Sequence, residues 1–285
     1  MTIASDYQME FGGLLVGADT DYRITQVSGL ADYPEVQTAD QGRLRRHGLL
    51  PGDDFTGGRT ITVNVVVRGD SSASTLTELM AALKTALPIG DPEGELSLQF
   101  PGIADGTTVT VNARPRRMSA PLDTRWKFSA PEVVLEFFAT DPRIYGPQQT
   151  GSDSLPVASG GATFSLTFDL TFGVAGTPSA ITATNDGTFS TPPTFTFTGP
   201  FTNVSVHHEE TDRTLAFEID VAAGDYLLVN ADDRTVLLNG TQNRYYTLET
   251  GSAWFDLLPG DNNLTFSTDV NATGTVSVAW RDAWI

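Results

Sequence analysis

The run Glu132-Val133-Val134-Leu135-Glu136-Phe137-Phe138-Ala139-Thr140-Asp141-Pro142-Arg143-Ile144-Tyr145-Gly146 closes one kind of sequence and opens another. Its first seven residues read as a strand that is apolar on both sides in places, as expected for a central strand covered on two faces. The joint between two domains is read just after Asp141–Gly146. Strands and one helix precede this point, and only strand signals follow it. The chain is therefore expected to be mostly β, in two domains. Residues 1–147 form a β-sandwich-like domain with one α-helix. Residues 148–285 form a β-sandwich or jelly roll, after a linker at about 147–162 rich in Gly, Ser, Pro and Gln.

On the N-terminal side, Phe11-Gly12-Gly13-Leu14-Leu15-Val16 and Tyr22–Val27 read as short strands, and Thr38–Gly58 is polar and glycine-rich. In Thr60–Arg68, Ile61, Val63, Val65 and Val67 repeat at period two, the mark of a half-buried strand. Leu76, Leu79, Met80, Leu83 and Leu87 instead recur at helical spacing. Thr75 and Glu78 fit a capping box, and Pro88 and Gly90 stop the helix, so a helix is predicted over 75–87. Further strands are predicted at Glu95–Phe100 and Thr107–Asn112.

Beyond the linker, strands are predicted at Thr163–Leu170, Thr194–Thr198, Val204–His208, Leu215–Ile219, Tyr226–Asn230, Thr235–Leu238, Leu264–Ser267 and Thr275–Trp280. Turn signals such as Asn185-Asp186-Gly187 and Pro259-Gly260-Asp261-Asn262 separate them. Short alternating strands at such spacing argue for a sandwich or jelly roll.

The absence of cysteine excludes disulfides, thiolate metal sites and a Cys nucleophile. The net charge of -18 opposes direct nucleic-acid binding. It divides unevenly: residues 1–147 hold 13 Lys+Arg against 19 Asp+Glu, and residues 148–285 hold 4 against 16. No basic-then-apolar leader is visible at the start of the sequence, and no apolar run reaches membrane-helix length, so membrane insertion is not expected.

Candidate chemistry is sparse. His207 and Glu209 would share one face of a strand, and His208 and Glu210 the other, which offers two ligands where a metal needs three or four. A solvated strand end is the reading there, and no metal or cofactor is expected. Asp53-Asp54 and Asp232-Asp233 read as loop residues, and no nucleophile elbow or P-loop appears, so no catalytic residues are expected. Arg43, Arg45, Arg46 and His47 form one basic cluster, and Arg114, Arg116 and Arg117 another. In so acidic a chain they suit acidic surface on a neighbouring subunit. Tyr245, Tyr246, Trp254 and Trp284 are candidates for stacking on carbohydrate.

Three stretches carry a family resemblance: Gly48–Ile61 running into Val63-Asn64-Val65, the helix at 75–87, and Phe128–Tyr145 with its F-x-A-x-D-P-R-x-Y close. In this order they resemble the distal tail protein of long-tailed, non-contractile phages, the siphovirus-type tail component family. Asn185-Asp186-Gly187-Thr188 with Pro192-Pro193, Ala223-Gly224-Asp225 and Leu258–Asn262 are similar to the punctuation of the galectin-like sandwich that often follows. The resemblance implies a structural, non-enzymatic virion protein at the tail tip, assembled in the host cytoplasm. It also implies a homohexameric ring of N-terminal domains joining the tail tube to the tail tip or baseplate and supporting host attachment. Implied partners are further copies of the chain, tail tube, tape-measure and tail-tip proteins, with host-wall polysaccharide as a further ligand. The alternatives are a carbohydrate-binding host-wall adhesin and a β-sandwich glycoside hydrolase, which would need two facing carboxylates.

Overall fold

A computed structural model describes residues 3–69, 75–156, 179–269 and 272–285. The chain divides into two compact units, one of Met1–Pro147 with Trp284–Ile285 and one of Gln148–Ala283. Each has its own hydrophobic core. The fold is mostly β with one α-helix.

The first unit contains β1 (Gln8–Phe11), β2 (Leu14–Gly17), β3 (Tyr22–Ser28), β4 (Val36–Thr38), β5 (Gln41–Gly42), β6 (Leu49–Leu50) and β7 (Asp54–Thr56). It continues with β8 (Arg59–Val67), α1 (Leu76–Ala86), β9 (Gly94–Gln99), β10 (Val109–Ser119), β11 (Glu132–Ala139) and the start of β12 (Ile144–Ser154). All pairings are antiparallel. One sheet runs β3-β8-β11-β10 and another β2-β1-β9-β10. Strand β10 belongs to both. Val109–Ala113 pair with β9, and Arg114–Ser119 pair with β11, with a bulge between Pro115 and Arg117. Proline donates no ladder bond, which suits a position beside a bulge.

Period-two burial on β8 puts Ile61, Val63, Val65 and Val67 in the core, where no part of them is exposed. Strand β11 is central, between β10 and β8, but it buries one face rather than two. Val133, Leu135, Phe137 and Ala139 point inward, while Val134 and Phe138 are half-buried. Phe138 lies under the Arg116 guanidinium, 5.2 Å from ring centroid to Cζ, so a cation covers the outer face in place of a second apolar layer. Helix α1 lays Leu79, Met80, Leu83 and Ala86 on the core. Thr75 and Glu78 form the reciprocal capping box. The Phe11–Val16 segment is a hairpin rather than one strand, because Gly12 and Gly13 both take positive φ, as the two-residue turn between β1 and β2 requires.

The second unit contains the rest of β12, then β13 (Ser179–Asn185), β14 (Thr194–Thr198), β15 (Phe201–His208), β16 (Arg213–Val221), β17 (Tyr226–Asn230) and β18 (Thr235–Leu238). It ends with β19 (Gln242–Asn243), β20 (Gly260–Thr268) and β21 (Thr275–Trp284). Its sheets run β19-β18-β17-β14-β21-β12 and β13-β20-β15-β16. Alternating residues of both sheets make up the core, with Phe195, Phe197, Phe217 and Phe266 at its centre. The turn at Asn185-Asp186-Gly187 pins β21. Asn185 Oδ1 accepts the N–H groups of Gly187 and Ala283, and a Cβ at Gly187 would lie 1.9 Å from the Ala283 oxygen.

Two further differences from expectation lie at the start of the second unit. Residues 147–154, read as linker, are the second part of β12, because Thr, Gln and Ser serve an edge strand as well as a loop. Strand β13 was not foreseen. The predicted strand Thr163–Leu170 lies outside the described residues, as does the end of the linker stretch.

Candidate functional site

The Asp141–Tyr145 close of the first unit is built around two residues. Asp141 Oδ1 accepts the Arg143 backbone N–H (3.1 Å), and Oδ2 accepts the Tyr145 hydroxyl (2.6 Å). Burial, followed by the bond to Asp141, pushes the Tyr145 phenol well above its ordinary range. Arg59, at the head of β8, is 1% exposed. Its Nε donates to the Pro142 carbonyl (2.8 Å) and its Nη1 to the carbonyls of Gly29, Leu30 and Asp32 (2.7, 3.0 and 2.9 Å). Desolvation lowers its pKa, and the Asp32 charge opposes that shift. The two motifs Gly58-Arg59-Thr60 and Asp141-Pro142-Arg143 therefore meet in space. The arrangement is a clamp on backbone carbonyls, and the Asp141 carboxylate is itself held by the Arg143 N–H and the Tyr145 hydroxyl. Sequence reading did not single out Arg59; its place at the head of a strict period-two strand was the available signal.

Between β3 and β8 the chain makes an arm. Strand β4 pairs with β7, and β5 with β6. Every residue from Glu35 to Thr56 is exposed. The arm carries Val36, Leu44, Leu49, Leu50 and Phe55 into solvent, and Leu44 is 94% exposed. The cluster Arg43, Arg45, Arg46 and His47 lies between β5 and β6, at the turn of the inner ribbon. In the same unit an apolar groove of about 680 Å³ lies between α1 and strands β10 and β11, floored by Met80, Met118, Leu135 and Phe137 and rimmed by Ile89 and Leu122.

The four aromatic candidates separate. Tyr245 and Trp254 stack at 15° with centroids 6.5 Å apart. A sugar ring between them would need about 3.5–4 Å on each side, so the pair is too close to hold one as a sandwich. Tyr246, next in sequence, is 78% exposed. Trp284 belongs to the first unit and packs against that unit's core. Trp254 also lines a pocket of about 330 Å³ with Ser190, Arg213, Arg234 and Asp256.

The histidine pair departs from the expected solvated strand end. His208 is fully buried and stacks on Phe255, with centroids 4.9 Å apart. Its Nε2 faces Asn262 Oδ1 (2.9 Å) and Glu210 Oε2 (3.2 Å), and its Nδ1 faces Thr211 Oγ1 (2.6 Å). Leu258 N–H donates to the same Asn262 oxygen, which fixes the amide orientation, so the His208 proton sits on Nε2. A ring with both nitrogens bonded can be buried as core, which the charge pattern of the sequence concealed. Among the described residues no three metal-ligating side chains converge.

Residues 186–284 match the family model of the siphovirus-type tail component, C-terminal domain. None of the curated proteins is similar to the chain in sequence. Among solved structures, the Dit protein of phage SPP1, described as a paradigm of the hub adsorption apparatus in phages infecting Gram-positive bacteria, superposes with a TM-score of 0.68 at 16% identity, covering 98% of this chain and 99% of that one. A chain of the phage P2 baseplate in its activated, calcium-bound conformation superposes with a TM-score of 0.52 at 11% identity, covering 96% and 98%. Over residues 186–284 the chain thus matches the C-terminal domain of the siphovirus-type tail components, and over nearly all of its length its fold is similar to that of a phage tail hub protein.

Proposed function

We propose that the chain is a structural hub of a phage distal tail, a homohexameric ring of N-terminal units that joins the tail tube to the tail tip or baseplate. The similarity to tail hub and baseplate proteins supports the tail role. The arm is the single observation that carries the ring. A two-stranded ribbon with no core of its own is marginal in water, and 22 consecutive exposed residues with five large apolar side chains need a covering surface. A closed ring supplies one, because each subunit offers one patch to a different patch on the next. The apolar groove beside α1 is a suitable second patch. The role is structural rather than catalytic, and the assembled ring docks tail tube, tape-measure and tip proteins. The boundary near Pro147 divides a ring-building part from a part that supports host attachment.

Native mass spectrometry of the purified chain tests this. Hexamers are expected. A chain that stays monomeric at high concentration, and fails to associate with tail tube protein, sinks the reading.

A further inference from the structure

We infer that the pocket framed by Arg213, Arg234, Trp254 and Asp256 on the second unit binds one acidic sugar, a single saccharide unit bearing a carboxylate or a phosphate. The inference deepens the host-attachment reading and rests on it for its setting, while the chemistry of the pocket stands alone.

The charge distribution is the first argument. Residues 148–285 contain four basic side chains, Arg213, Arg234, Arg244 and Arg281, against 16 carboxylates. Two of the four line this one cavity. Neither Arg213 nor Arg234 forms an ion pair with a carboxylate among the described residues. Arg213 Nη1 donates to the Trp254 carbonyl (3.0 Å), and among the described residues the Arg234 guanidinium meets no acceptor. A guanidinium carries five N–H donors in a planar fork that fits carboxylate or phosphate bidentately. Most of those donors are still available here.

The remaining wall selects for a hydroxylated anion over a bare one. Ser190 Oγ donates to Asp256 Oδ2 (3.5 Å) at the same pocket, which leaves the Ser190 lone pairs to accept from a sugar hydroxyl. Trp254 supplies an aromatic wall, and its indole N–H has no acceptor among the described residues. The apolar C–H face of a pyranose suits such a wall. A volume of about 330 Å³ is at the low end of ligand pockets, which span about 300–1,000 Å³, and so fits one saccharide unit. A nucleic-acid strand is disfavoured by the net charge of -12 across this part of the chain. A single oxyanion meets the two arginines at close range, within the screening length.

Isothermal titration of the full chain with glucuronate, the phosphate monoester of glucose, glucose and inorganic phosphate tests the inference. Saturable binding of at least one acidic sugar is expected, with glucose weaker by about tenfold or more. The tighter of the two acids identifies carboxylate or phosphate as the natural group. Arg234→Gln should weaken binding by about tenfold without lowering the melting temperature. If that variant does not fold, Arg234→Lys serves, since it keeps the charge and loses the fork. No binding by either acid, glucose as tight as the acids, phosphate alone as tight as its sugar ester, or unchanged affinity in the Arg234 variant overturns the proposal. Native mass spectra of the same preparations separate the two readings: rings without sugar binding remove only the pocket, and sugar binding without rings removes only the ring.

Discussion

Arg59 shows how one buried side chain can hold a fold together at a distance in sequence. It joins the loop of Gly29–Asp32 to Pro142, which lies 83 residues after Arg59. Arg59→Met should destabilise the first unit by on the order of 3 kcal/mol in urea unfolding, because several buried carbonyls lose their donor. Arg59→Lys should recover only part of that loss, since an ammonium cannot span the same fork. Tyr145 sets a pH limit. Its folded pKa is raised above the unfolded value of 10.0, so its contribution is complete below that pH and is lost as pH rises past it. Tyr22, bonded to the Leu79 carbonyl, shifts in the same direction. Unfolding midpoints should fall above about pH 10, and Tyr145→Phe should flatten that decline. His208→Phe keeps the stack on Phe255 but removes the ring-nitrogen contacts to Asn262, Glu210 and Thr211, at a cost of about 1–3 kcal/mol.

Among the elements, α1 and the arm are opposite cases. Helix α1 is fixed locally by its cap and globally by Leu79, Met80 and Leu83. Thr75→Ala should lower stability by about 1 kcal/mol, measured by denaturant titration, without changing the fold. The arm has no core residue between Glu35 and Thr56, so its removal should leave monomer stability unchanged. Replacing 36–56 with a short turn should convert rings to monomers in native mass spectra. A shortened chain that still forms hexamers would place the contact elsewhere.

At the scale of the molecule, two cores stand where one chain of this length could have built a single one. The last strand returns Trp284–Ile285 to the first unit, where Trp284 packs on the core of that unit. Trp284→Ala should therefore destabilise the first unit by on the order of 2 kcal/mol while leaving the second unchanged. Hydrogen exchange resolves this, with faster exchange expected in β8 and β11 and no change in β14 and β17.

The sequence by itself determined the elements whose signal is local. Period-two burial on β8, β14 and β17 and the capped helix were legible because a strand or helix with one buried face writes that face into its own residues. The Gly12-Gly13 hairpin was equally legible in principle, since paired glycines between apolar runs mark a turn, but the apolar residues on either side read as one strand. Only the tertiary structure decided what Arg59, His208 and the pocket arginines do. An arginine at a strand head or a histidine beside two glutamates reads as solvated until partners far along the chain bring carbonyls, an amide and an aromatic face to it. The closing motif Asp141-Pro142-Arg143-Ile144-Tyr145 shares both sources: its turn is written locally, and its anchor is a guanidinium that sequence distance conceals.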